Sequence, residues 1–142
     1  MNLRERAMNY LARREHSRAE LVRKLSSHGE ADAIVSLLDQ LEQENLLSNA
    51  RYAESLAHSR AGRHGSVRLK SELREKGVPE TVIAEVVGQA READLAAARA
   101  VWLKKFGQLP SDAKERAKQQ RFLLGRGFPS DVARRVLGGE ED

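Results

Sequence analysis

The residues best suited to metal or acid–base chemistry are four histidines at separate points along this 142-residue sequence: His16, His28, His58 and His64. A zinc or catalytic site needs several His, Cys, Asp or Glu side chains at spacings that let them converge. None of the four histidines has a second ligand at such a spacing, and the chain contains no cysteine. We therefore expect solvent-facing or turn-capping imidazoles, with no bound metal and no cofactor.

Two glycine-rich segments, Gly62-Arg63-His64-Gly65 and Gly125-Arg126-Gly127, could be considered as phosphate-binding loops. Such a loop follows a strand and ends in Gly-Lys-Ser/Thr, and neither segment has these features. No nucleophile is paired with a base anywhere in the sequence. These absences argue against an enzyme.

Basic side chains are the remaining chemical signal, with a formal net charge of +4 and a pI near 9.7. Residues 1–28, 51–77 and 98–128 hold seven, seven and eight Lys/Arg against three, three and two acids. The sign reverses in between, because residues 30–50 carry five acids and no Lys/Arg, and residues 78–97 carry four acids against one Arg. Recurrent basic segments predict a positive stripe that contacts phosphates without reading sequence.

The elements that would position this stripe are indicated by glycines at 29, 77 and 127, which are 48 and 50 positions apart. Each follows a basic amphipathic stretch and precedes apolar residues at helical spacing. A leucine lies eight positions before the first two glycines, whereas Gln119 takes that place before the third. Pro79 and Pro129 then fit first helical turns, each after a left-handed glycine.

The pattern predicts an all-α protein of nine helices, arranged as three tandem three-helix repeats that form an elongated, curved, right- or left-handed arc. The predicted repeats cover residues 1–49, 50–91 and 92–142. Ser17 with Glu20 has the spacing of a capping box, and Ser111 with Asp112 offers a cap later in the chain. Trp102 and Phe106 share one helical face and are expected in the core of the third repeat.

The basic stripe is assigned to the second helix of each repeat. The alternative for any one residue is that it only solvates the outer helix face. Its members are Arg18, Arg23, Lys24, Arg68, Lys70, Arg74, Lys76, Lys114, Arg116, Lys118, Arg121 and Arg126. All of these residues except Arg116 are predicted to form the interface that contacts phosphates. A helix-turn-helix operator reader is disfavoured, because the third helices begin with acidic residues that would repel phosphate.

No apolar run approaches the ~20 residues that span a bilayer, and charged residues interrupt the first 19 positions. We expect a cytoplasmic protein without membrane contact.

Three ordered segments resemble the RecX family over nearly the whole chain. Residues 12–21 (ARREHSRAEL) are similar to its opening signature, and residues 51–53 with 68–78 (RLKSELREKGV) are similar to its middle repeat. Residues 105–107 and 114–128 (KERAKQQRFLLGRGF) resemble its last repeat.

The resemblance implies a non-catalytic, monomeric regulator whose partner is the RecA recombinase filament. It would bind RecA on DNA and reduce ATP hydrolysis, strand exchange and coprotease activity, and so modulate DNA repair, recombination and the SOS response. Single- and double-stranded DNA would be contacted through phosphates. The alternative is a stand-alone, sequence-independent DNA-binding helical-repeat protein, and a scaffold that recognises only protein also stays open.

Overall fold

A computed structural model describes residues 1–138 of the chain. Within this range the structure contains eight α-helices and no β-strand, which confirms the all-α prediction. In chain order the helices are α1 (Leu3–Arg13), α2 (Arg18–Leu25), α3 (Ala31–Gln43), α4 (Asn49–Arg60), α5 (Ser66–Glu75), α6 (Glu80–Lys105), α7 (Ala113–Gly125) and α8 (Ser130–Gly138). The last four residues of the third predicted repeat lie outside the described range.

Helix α6 explains why the described chain has eight helices where the sequence pattern predicts nine. It runs for 26 residues without interruption and includes both the expected third helix of the second repeat and the first helix of the third. Gly88 is the only Gly or Pro within it, and one internal glycine costs about 1 kcal/mol, too little to end a helix whose other residues favour it. The predicted boundary after residue 91 therefore falls inside α6.

Capping side chains fix where α2 and α7 begin. The Ser17 hydroxyl accepts a hydrogen bond from the backbone N–H of Glu20 at 3.1 Å, and the Glu20 carboxylate accepts one from the Ser17 N–H at 3.0 Å. This is the predicted capping box. Asp112 caps α7 by accepting from the N–H of Glu115 at 2.7 Å.

Two of the three repeat glycines end helices in the left-handed conformation. Gly77 has φ 74° and Gly127 has φ 86°, and each is followed two positions later by a proline before the next helix. Side chains other than glycine are disfavoured at positive φ, so these positions confirm the predicted helix ends. Gly29 does not adopt a positive φ.

The chain divides into two compact units. Unit 1 comprises residues 1–56 and 73–83. Its core joins α1, α2 and α3 through side chains spaced three or four residues apart, which places them on one face of each helix. The buried members are Ala7, Leu21, Leu25, Ile34, Leu37, Leu38, Leu41 and Leu47.

Unit 2 comprises residues 57–72 and those from 84 onward. Its buried core includes Ala98, Leu123, Phe128, Val132, Ala133, Val136 and Leu137. Trp102 and Phe122 pack against this cluster, and Phe106 meets Phe122 edge to face with ring centroids 5.4 Å apart. The prediction that Trp102 packs in this core is confirmed, whereas Phe106 is half-buried and is not among the residues of this cluster. None of the helices in the described range is long and apolar enough to cross a membrane.

Candidate nucleic-acid interface

The predicted interface residues follow three helices. Their positions are Arg18, Arg23 and Lys24 on α2; Arg68, Lys70 and Arg74 on α5, with Lys76 just beyond it; and Lys114, Lys118 and Arg121 on α7, with Arg126 directly after its end. They differ in whether the fold already supplies them with an acidic partner.

Arg18 is engaged by two carboxylates of α3. Its guanidinium forms ion pairs with Asp39 at 2.8 Å and with Glu42. Burial lowers the pKa of Arg18, but the hydrogen bonds to these carboxylates outweigh burial and raise it. Arg18 thus fastens α2 to α3, and two carboxylates of the fold already balance its charge.

Arg68 and Arg74 also have acidic partners. Arg68 pairs with Glu72 at 3.3 Å one turn along α5, and Arg74 pairs with Glu80 at 2.7 Å. The Arg74–Glu80 pair is well exposed to solvent, where such a contact contributes roughly 0–1 kcal/mol, so Arg74 can exchange its carboxylate for a phosphate at small cost. Arg68 is exposed, but Glu72 is only 22% exposed, and Arg60 still pairs with Glu72 if Arg68 turns to a phosphate.

Lys24 lies in a basic cluster of unit 1. Its Nζ contacts His16 Nε2 at 2.9 Å and lies 4.7 Å from the ring centroid of Tyr10. Burial lowers the pKa of Lys24, and repulsion from Arg14, Lys76 and other nearby cations lowers it further. The structure thus brings two predicted residues, Lys24 and Lys76, into one positive region.

Of the two settings expected for the histidines, solvent-facing or turn-capping, His16 has the second: it lies in the link between α1 and α2, and only 2% of it is exposed. Its ring packs 5.8 Å from that of Tyr10, and its Nδ1 lies 3.1 Å from the carbonyl oxygen of Arg14. Lys24 can only donate, so Nε2 accepts and Nδ1 donates to the carbonyl. Burial, the largest effect, lowers the pKa of His16, in agreement with this neutral form.

A second positive region, in unit 2, surrounds His64. Burial lowers the pKa of this imidazole, and repulsion from Arg68, Arg126, Arg60 and Arg63 lowers it further. Arg60 is held by both oxygens of Glu72, at 2.9 and 3.1 Å. Arg126 donates to the carbonyl oxygen of Arg63 at 3.1 Å. Neither Arg60 nor Arg63 was among the predicted interface residues, because each lies at or beyond the end of a first helix.

The remaining predicted residues carry charge that the fold leaves available. Arg23, Lys114, Lys118 and Arg121 are exposed and Lys70 is half-buried, and none of these five forms an ion pair with a carboxylate of residues 1–138. Three of them lie on α7, which therefore presents the most available positive charge. Within residues 1–138, no three His, Asp or Glu side chains are grouped so that they could hold a metal ion.

Family models match the chain in three consecutive parts. Residues 4–41 match the first three-helix domain of RecX, residues 48–87 the second and residues 92–137 the third. The order and three-helix character agree with the repeats read from the glycine spacing.

Named relatives are similar over nearly the full length. The regulatory protein RecX of Ralstonia nicotianae is 48% identical over 99% of this chain and 89% of its own length. The RecX proteins of Chromobacterium violaceum and Pseudomonas putida are 45% and 42% identical, with 99% and 98% of this chain and 92% and 91% of their own lengths covered.

Solved structures share the fold. A crystal structure of regulatory protein RecX superposes with a TM-score of 0.82 at 23% identity, covering 97% of this chain and 72% of that one. The crystal structure of RecX from Lactobacillus salivarius gives a TM-score of 0.83 at 20% identity, covering 96% and 93%.

Proposed function

The chain belongs to the RecX family of regulatory proteins, and from this premise we propose that it binds the RecA–DNA filament and inhibits it. The inhibited activities are ATP hydrolysis, strand exchange and coprotease activity, so that the protein modulates DNA repair, recombination and the SOS response. The observation that carries the proposal is the collinear match of three RecX domains to a chain whose second helices are basic.

The geometry supports different roles for the basic residues, according to whether each already has an acidic partner. Exposed cations that have no acidic partner among residues 1–138, above all those on α7, attract DNA phosphates over a distance and make salt-sensitive contacts. Arg68 and Arg74, which are paired in the free protein, bind the filament when one of its phosphates or carboxylates replaces their present partner. Arg18 contributes mainly by holding α2 in position.

We propose that the protein is monomeric and cytoplasmic, and that it acts without catalysing a reaction, binding a cofactor or contacting a membrane. Its three repeats are proposed to cover residues 1–49, 50–91 and 92–142, close to the spans that the family models match. Contacts with both single- and double-stranded DNA would be independent of sequence, because phosphates carry no base information.

The decisive experiment measures RecA's DNA-dependent ATPase with and without this protein. A stoichiometric excess should slow ATP hydrolysis, and an unchanged rate would reject the filament proposal. Equal binding to DNA in the absence of RecA, without an effect on the ATPase, would favour the stand-alone DNA-binding alternative.

The contribution of α7 can be tested with Lys114→Gln/Lys118→Gln/Arg121→Gln. The matched control, Arg6→Gln/Arg91→Gln/Arg134→Gln, removes the same charge from residues outside the three basic helices. The α7 variant should inhibit RecA less than the control. Equal inhibition by the two variants would refute the role of α7, and full inhibition by Arg68→Ala/Lys70→Ala/Arg74→Ala/Lys76→Ala would refute the role of the second repeat.

A further inference from the structure

A cleft of about 570 Å³ opens in unit 2 between the end of α6, the end of α7 and the link that follows α4. Four cationic side chains line it, Arg63, Lys104, Lys105 and Arg126, and the described residues contribute no acid to its lining. Only Arg126 belongs to the interface predicted from the sequence. The other three come from segments outside the second helices.

The charge of these four residues is not neutralised by the described part of the fold. None of them forms an ion pair with a carboxylate of residues 1–138. Nearby in the same unit, Arg60 and Arg68 are both bound to Glu72. The cleft therefore brings together four cations that lack such a partner, and no carboxylate of residues 1–138 has to be displaced when an anion enters it.

An aromatic ring holds two of the cations at the cleft wall. The Arg126 guanidinium carbon lies 5.3 Å from the ring centroid of Phe122, and the Lys105 Nζ lies 5.9 Å from it. The ring is itself braced edge to face by Phe106. Cation–π contacts of this kind restrict long side chains without neutralising them, which lowers the entropy lost when an anion binds.

A backbone contact ties the other side of the cleft to this wall. Arg126 donates from its guanidinium to the carbonyl oxygen of Arg63, so the end of α7 is joined to the link after α4. The positive potential is also felt by the neighbouring His64, whose pKa is lowered by burial and then by the surrounding arginines, including Arg63 and Arg126.

We propose that this cleft is a nucleic-acid backbone site, in which Arg63, Lys104, Lys105 and Arg126 together bind a phosphodiester group. The proposal rests on the proposed function and assigns part of its DNA contact to residues outside the basic second helices. A polymer of phosphates fits better than a single small anion, because α7 continues from the cleft with further exposed cations that have no acidic partner among residues 1–138. Phosphate binding by charge alone predicts no sequence preference.

The test titrates a fluorescein-labelled oligothymidylate with the full chain and follows fluorescence anisotropy at several salt concentrations. Lys104→Gln/Lys105→Gln should weaken binding by roughly tenfold at 0.1 M salt and flatten the dependence of log K on log salt by about 1.4, the loss of two single-strand phosphate contacts. The control Arg91→Gln/Arg134→Gln removes equal charge from unit 2 outside the cleft and should lose far less affinity. Circular dichroism verifies that both variants keep their helical content, and Arg63→Gln alone gives a milder second test.

The outcomes separate this site from the proposed function. Equal weakening by the cleft and control variants overturns the cleft site, and it leaves the filament proposal standing if the wild type still slows RecA's ATPase. If the ATPase is unaffected but the cleft variant selectively loses oligonucleotide, the cleft site is supported and the filament proposal fails. Inorganic phosphate that protects the cleft lysines from acylation, where the oligonucleotide does not, overturns the backbone site in favour of a free-phosphate site.

Discussion

Arg14 grips the carboxylate of Glu20 with both ends of its guanidinium group, at 2.8 and 3.2 Å, although Glu20 is almost completely buried. The same carboxylate closes the capping box of α2 by accepting from the Ser17 N–H. Burial alone would raise the pKa of Glu20, but the hydrogen bonds from Arg14 and Ser17 dominate and lower it to about 2. The pair joins the end of α1 to the beginning of α2.

This pair predicts a specific loss of stability in acid. A lowered folded-state pKa stabilises the fold above the unfolded value of 4.5, and that stabilisation disappears as the pH falls toward 2. Glu20→Gln keeps an oxygen for the capping box and removes the titrating charge. The free energy of unfolding of the wild type relative to this variant should fall by on the order of 2 kcal/mol between pH 6 and pH 3, measured by urea denaturation. A pH-independent difference would show that Arg14 contributes nothing through charge.

Ser17→Ala should destabilise the protein by about 2 kcal/mol. Loss of the cap accounts for about 1 kcal/mol. The rest arises because the Ser17 hydroxyl also donates to the carbonyl oxygen of Lys76 at 2.7 Å, and this oxygen would lose its donor. Thermal unfolding measures the change, with the exposed Ser27→Ala as the control. A loss no greater than that of the control would contradict the capping box.

His16 should titrate below the ordinary histidine pKa of 6.5, because its buried neutral ring is disfavoured as a cation. This pKa shift is opposite in sign to that of a histidine in a salt bridge, whose pKa is raised. As the pH falls below 6.5, the unfolded state takes up the proton first and the fold loses stability. An NMR titration of the ring nitrogens should show the low midpoint and a proton on Nδ1 at neutral pH. A midpoint at or above 6.5, or a proton on Nε2, would refute the arrangement with Lys24 as donor.

Gly127→Ala should destabilise unit 2 by about 2–4 kcal/mol. The residue has φ 86°, and an added Cβ would lie 2.3 Å from Arg68 Cβ and 2.9 Å from Arg68 N, so both conformation and space oppose a side chain. Gly125→Ala is a matched control two residues earlier, where an added Cβ meets nothing within 4 Å. Urea denaturation should show a large loss for the first variant and little or none for the second.

Local sequence features predicted the local structure well. The capping box at Ser17 and the left-handed glycines at 77 and 127 depend on neighbouring residues, and all three were found as expected. The α-helical structure was predicted from the spacing of apolar residues, which is also a local feature. The number of helices was wrong only at α6, where the expected break would have needed a stronger signal than one glycine.

Contacts between distant residues could not be read from spacing. The partners of Arg18 are on α3, and Ser17 binds the carbonyl of Lys76, 59 positions away. Periodicity shows which face of a helix is basic, but not which acids face it across a packed pair. The burial of His16 escaped notice for the same reason, and the predicted curvature of the arc stays a prediction.

Gln119→Leu would restore the leucine that the first two repeats have at this position, yet it should destabilise the protein by about 2–3 kcal/mol. The buried Gln119 accepts a hydrogen bond from the Trp102 indole at 2.8 Å and donates to the carbonyl oxygen of Gln108 at 3.1 Å. Leucine would leave both groups unsatisfied, and its apolar volume does not compensate for them. Because Trp102 is the chain's single tryptophan, its fluorescence reports this site directly during denaturant unfolding. A variant as stable as the wild type would show that the hydrogen bonds of Gln119, including the one from the Trp102 indole, do not stabilise the fold.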